Sequence, residues 1–89
     1  MQFEWDPQKA ESNFRKHRVR FLDAQSVFED ERLLTVFDES ADEERYIAIG
    51  RGYRGLILLV VYVIRGEKIR LISARKATTG ERQEYEKNK

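Results

Sequence analysis

The chain has 89 residues, no cysteine and 37% charged residues, and its formal net charge is +1 at pH 7. This length predicts one domain, residues 1–89, close to the lower limit at which a hydrophobic core alone supports a fold. Without cysteine, neither disulfides nor zinc–thiolate sites can form, which is compatible with a reducing compartment. No basic region followed by an apolar one occurs at the N-terminus, so we expect no secretion signal and a cytoplasmic location.

The near-neutral total hides two halves of opposite charge. Residues 1–44 contain six lysines and arginines against twelve aspartates and glutamates, a net charge of −6. Residues 45–89 contain eleven against four, a net charge of +7. Such asymmetry indicates a surface that binds a polyanion or a partner of opposite charge, unless the charges interleave after folding.

The beginning of the chain predicts a short strand followed by a helix. Phe3 and Trp5 alternate with polar residues, as in a strand. Asp6 and Pro7 predict a helix start, because an aspartate N-cap accepts from a free backbone N–H and proline fits the first helical position. We expect the helix to run from Pro7 to about His17. One of its faces carries Ala10, Phe14 and His17.

The next segment predicts a second helix, a strand and a loop. Apolar residues at helical spacing predict a helix that begins at Asp23 or its neighbours and ends near Phe28. A strand is expected from Leu33 to Phe37, followed by a polar acidic loop over residues 38–44.

The apolar run Leu56–Ile64 predicts the central strand of a sheet. It is apolar at every position and rich in β-branched residues, so as a strand it must be covered on both faces. It is too short to span a membrane. Strands near Tyr46–Arg51 and Lys68–Arg75 complete a three-stranded antiparallel meander. Its turn residues are expected at Gly50, Gly52, Gly55 and Gly66.

A charged helix is expected at the C-terminus, from Glu81 to about Lys87. Thr78 or Thr79 can cap it, and Tyr85 is its main apolar contact. The complete order is β-α-α-β-β-β-β-α, which predicts an α+β fold with a mainly antiparallel sheet.

Lys16 and His17 are candidates for chemistry, because histidine is the side-chain type that ordinarily changes charge near neutral pH. The alternative is a structural role, since a cation is favoured at the C-terminal end of a helix. A catalytic zinc usually has three protein ligands, and the chain has one histidine and no cysteine. We therefore expect no metal site and no cofactor.

Basic and aromatic residues recur along the predicted meander. Arginine holds phosphate through paired hydrogen bonds, and exposed aromatic rings can stack on RNA bases. The arginines can instead protect sheet edges from aggregation. The residues concerned are Arg51, Arg54, Arg65, Arg70, Arg75 and Lys76, with Tyr46, Tyr53, Tyr62 and Tyr85, of which we expect at least Tyr62 to lie in the core instead. Composition alone thus favours a basic sheet that binds nucleic acid.

Several stretches, in the same order along nearly the whole chain, closely resemble the BrnT toxin family. They are Phe3-Glu4-Trp5-Asp6-Pro7, Asn13-Phe14-Arg15-Lys16-His17-Arg18-Val19, Ala24 with Val27-Phe28, Glu43-Glu44-Arg45-Tyr46 with Ile49-Gly50, Val61-Tyr62 with Arg65, Ile69-Arg70-Leu71-Ile72-Ser73-Ala74-Arg75, and Glu81-Arg82 with Tyr85.

The resemblance implies a RelE-like fold, with N-terminal helices packed on the sheet, and a small ribonuclease toxin of a type II toxin–antitoxin pair. In that family a BrnA-type antitoxin with a ribbon-helix-helix part silences the toxin, and the complex represses its own operon. The implied partners are this antitoxin, RNA and, through the antitoxin, operator DNA, but no membrane. The family's catalytic positions fall on Lys16, His17, Arg65 and Arg75, and we expect Arg51, Arg70 and Lys76 to bind RNA.

One position departs from the family pattern. The family usually has glycine after the histidine, and this chain has Arg18. Because glycine suits a left-handed helix C-cap, Arg18 must either bear strain or end the helix differently.

The implied reaction uses the nucleophile that RNA itself carries, the 2′-hydroxyl. It needs a base, an acid and cations around the phosphate, but no metal. His17 would be the general acid or base, Lys16 would supply charge or a second proton transfer, and Arg65 and Arg75 would hold the scissile phosphate. Two alternatives stay open: a non-catalytic nucleic-acid-binding module, and a degenerate toxin-fold protein that only binds its antitoxin.

Overall fold

A computed structural model describes residues 1–40 and 42–87 and contains a five-stranded sheet. Its strands are β1 (Gln2–Glu4), β2 (Leu34–Asp38), β3 (Arg45–Arg51), β4 (Ile57–Arg65) and β5 (Lys68–Lys76). They lie in the order β1-β5-β4-β3-β2. The edge strand β1 is parallel to β5, and all other neighbours are antiparallel, so the sheet is mixed.

Three helical segments accompany the sheet. They are α1 (Pro7–His17), α2 (Phe21–Ala24), which continues as a 3₁₀ helix over Gln25–Glu29, and α3 (Thr79–Lys87). The predicted order of elements and the α+β class are confirmed. The second helix differs from the prediction because its latter half is 3₁₀, and α3 begins two residues before the expected Glu81. No helix within the two described ranges is long and apolar enough to cross a membrane.

Strand β4 is the central strand, as its apolar sequence predicts. Alternate residues Leu58, Val60 and Tyr62 face α1 and α2, and this side of the sheet is called the first face. Ile57, Leu59 and Val61 project from the second face, where Tyr85 of α3 packs on Ile57 and Leu59. A strand that packs on both sides needs apolar residues at every position, which explains the continuous run.

The predicted turn role of Gly50 is wrong. Gly50 lies in β3, paired with Leu58 of β4. A Cβ atom on Gly50 would lie 2.8 Å from Leu33 Cδ1 and 3.3 Å from Val27 Cβ, so glycine is required by close packing of the 3₁₀ segment. The tight turns use Gly55 (φ 81°) and Gly66 (φ 61°), where positive φ favours glycine.

The outer edge of β5 is covered by two different elements. β1 pairs only with Lys68–Arg70, at the beginning of β5. Farther along, the buried side-chain amide of Asn13 in α1 donates to Ala74 O (2.8 Å) and accepts from Ala74 N–H (3.0 Å). The same amide donates to Val19 O at 3.1 Å. Asn13 therefore replaces a missing strand and fixes α1 against β5.

Candidate functional site

Lys16 and His17 lie on the last turn of α1, beside an open depression between α1 and β5. We call this depression the edge cleft. Lys16 is exposed and His17 is half-buried. The basic last turn suits the negative end of the helix dipole, so the structural alternative for His17 is also satisfied here. The residues that line the edge cleft are Lys9, Ser12, Asn13, Lys16, His17, Ile72 and Ser73.

A β-bulge in β5 shapes the far wall of the edge cleft. Tyr62 pairs with Leu71, but the preceding Val61 pairs with Ser73, so Ile72 is an extra residue without a partner in the register. The extra residue shifts the alternation of β5 by one position. As a result Ser73 and Arg75, which lie opposite Val61 and Leu59, belong to the second face of the sheet.

Arg75 lies on the second face of the sheet and is held by an ion pair. It is two residues from Ser73, which corresponds to about 7 Å along a strand. Its Nη1 and Nη2 atoms donate to the Glu81 carboxylate at 2.8 and 2.9 Å, and Nη1 also donates to Lys76 O at 3.2 Å. This ion pair holds the pKa of Glu81 down at about 2 and raises the pKa of Arg75.

Glu81 also belongs to the N-terminal cap of α3. Its carboxylate accepts from Thr78 N–H at 2.8 Å, and Thr78 Oγ1 accepts from Glu81 N–H at 3.2 Å. This reciprocal arrangement is a capping box, and it identifies Thr78, one of the two predicted caps, as the N-cap. The position of Arg75 is thereby tied to the start of α3.

Arg65 is not brought together with Arg75. Arg65 pairs with Lys68 at the β4–β5 turn, whereas Arg75 lies opposite Leu59, six residues back along β4. Six residues of strand correspond to about 20 Å, too far for both guanidinium groups to bind one phosphate.

Of the three predicted RNA-binding residues, Arg51 and Lys76 lie near each other on either side of β4, opposite Ile57 and Leu58, and Arg70 lies apart from them. Arg70 donates to Glu4 at 3.1 Å and lies opposite Val63, toward the Arg65 end of the sheet. Lys76 is exposed at the end of β5, next to Arg75. Arg51 is exposed at the end of β3, where its Nη1 donates to Gly55 O at 3.0 Å.

The structure contains a cluster around Asp30 that the sequence pattern does not predict. Tyr85 OH and the Arg51 backbone N–H donate to Asp30 Oδ2 at 2.5 and 2.8 Å. Burial tends to raise the pKa of Asp30, but these hydrogen bonds outweigh it and hold the pKa below its usual value. The cluster ties α3 to the end of the 3₁₀ segment, and Tyr85 is buried in it rather than available to stack on bases.

The remaining tyrosines differ in exposure. Tyr62 is buried and stacks on half-buried Tyr46 with a centroid distance of 5.5 Å. Tyr53 is 69% exposed, and its hydroxyl donates to Asp23 at 2.7 Å. Of the four tyrosines, Tyr53 thus has the ring most open to a base.

Arg18 ends α1 in the left-handed conformation, with φ 59° and ψ 28°. Its backbone N–H donates to Phe14 O at 2.8 Å, as in a glycine C-cap. Of the two possibilities at this position, the structure shows the strained one.

We therefore expect Arg18→Gly to raise the free energy of unfolding by about 0.5–1 kcal/mol, because glycine adopts this φ without the steric cost that arginine bears. Urea unfolding measures the change. The matched control is Arg20→Gly, since Arg20 has φ −85° and stacks its guanidinium 4.3 Å from the Phe14 ring centroid. That variant should lose stability; an Arg18→Gly protein that loses as much would contradict the strain at Arg18.

The pH dependence of stability should report the Arg75–Glu81 pair. The pKa of Glu81 is lowered from 4.5 to about 2 on folding, so its ionised form stabilises the fold fully above about pH 4.5. That contribution is lost as the pH falls toward 2. The difference in unfolding free energy between wild type and Glu81→Gln should therefore shrink between pH 5 and pH 2, as measured by denaturant titrations. A constant difference over this range would refute the assignment.

No group of three or more histidine, cysteine, aspartate or glutamate side chains that could hold a metal ion occurs in residues 1–40 and 42–87.

Comparisons with known proteins identify relatives of this chain. A family model described as "Ribonuclease toxin, BrnT, of type II toxin-antitoxin system" matches residues 5–81. Among solved structures, the crystal structure of the Brucella abortus ribonuclease toxin BrnT matches with a TM-score of 0.66 and 24% sequence identity, and covers 89% of this chain and 99% of that chain. At this identity the likeness concerns the fold. No curated protein matches.

Proposed function

Because this chain belongs to the BrnT family of ribonuclease toxins of type II toxin–antitoxin systems, we propose that it is an endoribonuclease that cleaves RNA through its 2′-hydroxyl without a metal. The observation that carries the proposal is the edge cleft, where His17 and Lys16 lie across from Ser73, two residues from Arg75. The proposed acid–base group and two lysines, Lys9 and Lys16, thus line one open depression.

The reaction assigns a role to each of these side chains. His17 removes the proton from the 2′-hydroxyl or donates one to the leaving 5′-oxygen, and Lys16 supplies positive charge or the second proton transfer. Arg75 binds the nonbridging oxygens of the scissile phosphate, whose negative charge increases in the pentacovalent transition state. The 2′-oxygen forms the new P–O bond as the P–O5′ bond breaks, which leaves a 2′,3′-cyclic phosphate and a 5′-hydroxyl.

The other basic residues extend this site along the sheet. Lys76 neighbours Arg75, and Arg70 and Arg65 lie progressively closer to the β4–β5 turn. We propose that Arg65 and Arg70 bind phosphates remote from the scissile one, since Arg65 is about 20 Å along the strand from Arg75. Arg51 binds RNA on the opposite side of β4.

The proposed partner is a BrnA-type antitoxin with a ribbon-helix-helix DNA-binding part. The family implies an antitoxin, and the proposal adds that the complex represses its own operon, so that operator DNA is contacted through the antitoxin. Both proteins would act in the cytoplasm.

Cleavage of a defined single-stranded RNA by the purified protein in EDTA tests the proposal. We expect cleavage that stops when the co-encoded antitoxin is added in equimolar amount. Salt-dependent RNA binding without cleavage would favour a non-catalytic binding module. Antitoxin binding without cleavage would favour a degenerate toxin-fold partner. Either outcome would overturn the catalytic assignment.

A further inference from the structure

Arg75 has five N–H donors, and the structure shows how three of them are used. One N–H of Nη1 and one N–H of Nη2 donate to the two carboxylate oxygens of Glu81, at 2.8 and 2.9 Å. The outer N–H of Nη1 binds Lys76 O at 3.2 Å. In a guanidinium group, the Nε–H and the second N–H of Nη2 point to the same side. In Arg75, neither of these two donors forms a hydrogen bond with a described residue, and we call this side of the group its free edge.

That free edge is itself a two-donor fork. Two parallel N–H groups match two oxygens of a phosphate, which makes such a fork more selective in orientation than a single lysine charge. Because Glu81 and Lys76 O occupy the remaining donors, rotation of the guanidinium would break three hydrogen bonds. The arginine is therefore held with one fork bound to protein and a second fork free.

Glu81 is well suited to hold Arg75 in this way. Its carboxylate is fixed by Thr78 N–H at 2.8 Å, so it is anchored to the backbone at the start of α3. Its low pKa, about 2, keeps it ionised at any pH at which RNA cleavage would be measured.

From this geometry we infer that Glu81 is a positioning residue, which fixes Arg75 so that its Nε–Nη2 edge receives the scissile phosphate. The inference rests on the proposed ribonuclease function. Glu81 itself does not touch RNA. It acts through Arg75, and its removal leaves the cation in place but free to rotate.

A double-mutant cycle tests the inference. The kinetic parameters kcat and KM are measured for a defined single-stranded RNA with wild type, Glu81→Gln, Arg75→Ala and the double variant. Glutamine can still accept from Thr78 N–H but loses the charge and one acceptor for Arg75. We expect Glu81→Gln to reduce kcat ~10–100-fold with little change in KM, as small misplacements of a catalytic group do. In the Arg75→Ala background the same substitution should have almost no further effect.

Thr78→Ala is the matched control. It removes the hydroxyl that caps Glu81 N–H in the same capping box and leaves the Glu81 carboxylate on Arg75. This variant should lower Tm but keep kcat.

Each other outcome is informative. Equal losses of kcat in both backgrounds would show that Glu81 acts on the fold alone, and a gain in kcat would show that it competes with phosphate for Arg75. Either result overturns the inference while the ribonuclease function stands. A wild-type protein that does not cleave RNA overturns the function itself, and the inference with it.

Discussion

Replacing His17 by alanine should reduce the rate of RNA cleavage ~10²–10⁴-fold, the usual contribution of a single general acid or base. His17 lies on the last turn of α1 and is half-buried, so its loss removes the proposed proton-transfer group without opening the core. Single-turnover cleavage rates in EDTA at neutral pH measure the effect, and circular dichroism verifies that the variant is folded.

Arg15→Ala is the matched control for His17→Ala. It removes a cation from the same helical turn, but Arg15 is exposed and does not line the edge cleft. We expect this variant to keep most of the wild-type rate. If His17→Ala is folded and cleaves at the rate of Arg15→Ala, the acid–base role of His17 is wrong and its role is that of a helix-end cation.

Asn13→Ala should have the largest effect on stability, a loss of about 3–5 kcal/mol from the free energy of unfolding. Asn13 is the one buried polar residue in the described part of the chain, and its amide makes three hydrogen bonds. Alanine leaves the N–H and C=O of Ala74 and the C=O of Val19 without these partners, and each buried unpaired group costs about 1–3 kcal/mol. Because small domains have a total stability of about 5–15 kcal/mol, the variant should be close to unfolding at 37 °C.

Urea titration and hydrogen exchange at the Ala74 amide measure this effect. Ser12→Ala serves as the control, because Ser12 is the neighbouring, exposed residue of the same helix. It should change the free energy of unfolding by less than about 0.5 kcal/mol, as surface substitutions usually do. An Asn13→Ala protein that is equally stable, with a protected Ala74 amide, would contradict the edge-covering role of Asn13.

The parts of the fold that depend on local pattern could be predicted from the sequence. Leu56–Ile64 is apolar at every position because β4 packs on both faces, and Asp6 accepts from Gln8 N–H at 2.9 Å as a helix N-cap should. The parts that depend on distant residues could not be predicted. Nothing near Gly50 in the sequence indicates that Leu33 and Val27 approach it, so the local pattern predicts a turn at a glycine that close packing requires.

In the candidate site, too, some features follow from the local sequence and others depend on residues elsewhere in the chain. Lys16 and His17 are neighbours in sequence, so one helical turn brings both to the edge cleft. The bulge at Ile72 decides which face Arg75 belongs to, and the position of this bulge is set by the register between β5 and β4. Asn13 carried one signal that could have been used, since a polar residue between Ala10 and Phe14 falls on the buried side of an amphipathic helix.

The parallel pairing of the edge strand β1 with β5 could also not be predicted from the local sequence. Phe3 predicts a strand, but its partner, Ile69, lies at the far end of the chain. Phe3 also packs on Phe28, with ring centroids 5.3 Å apart, so both of these contacts of Phe3 are with residues distant in the sequence.

The most direct test of the central claim compares two RNA strands that differ by one oxygen atom. The first is a defined single-stranded RNA with a mapped cleavage site, and the second carries a single 2′-deoxynucleotide immediately 5′ to the scissile phosphate. Both are incubated with the purified protein in EDTA, and the products are identified by mass spectrometry. We predict that the first is cut to a 2′,3′-cyclic phosphate and a 5′-hydroxyl, and that the second is not cut at that position. Cleavage of the 2′-deoxy strand at the same site, or products ending in a 5′-phosphate, would contradict attack by the 2′-hydroxyl.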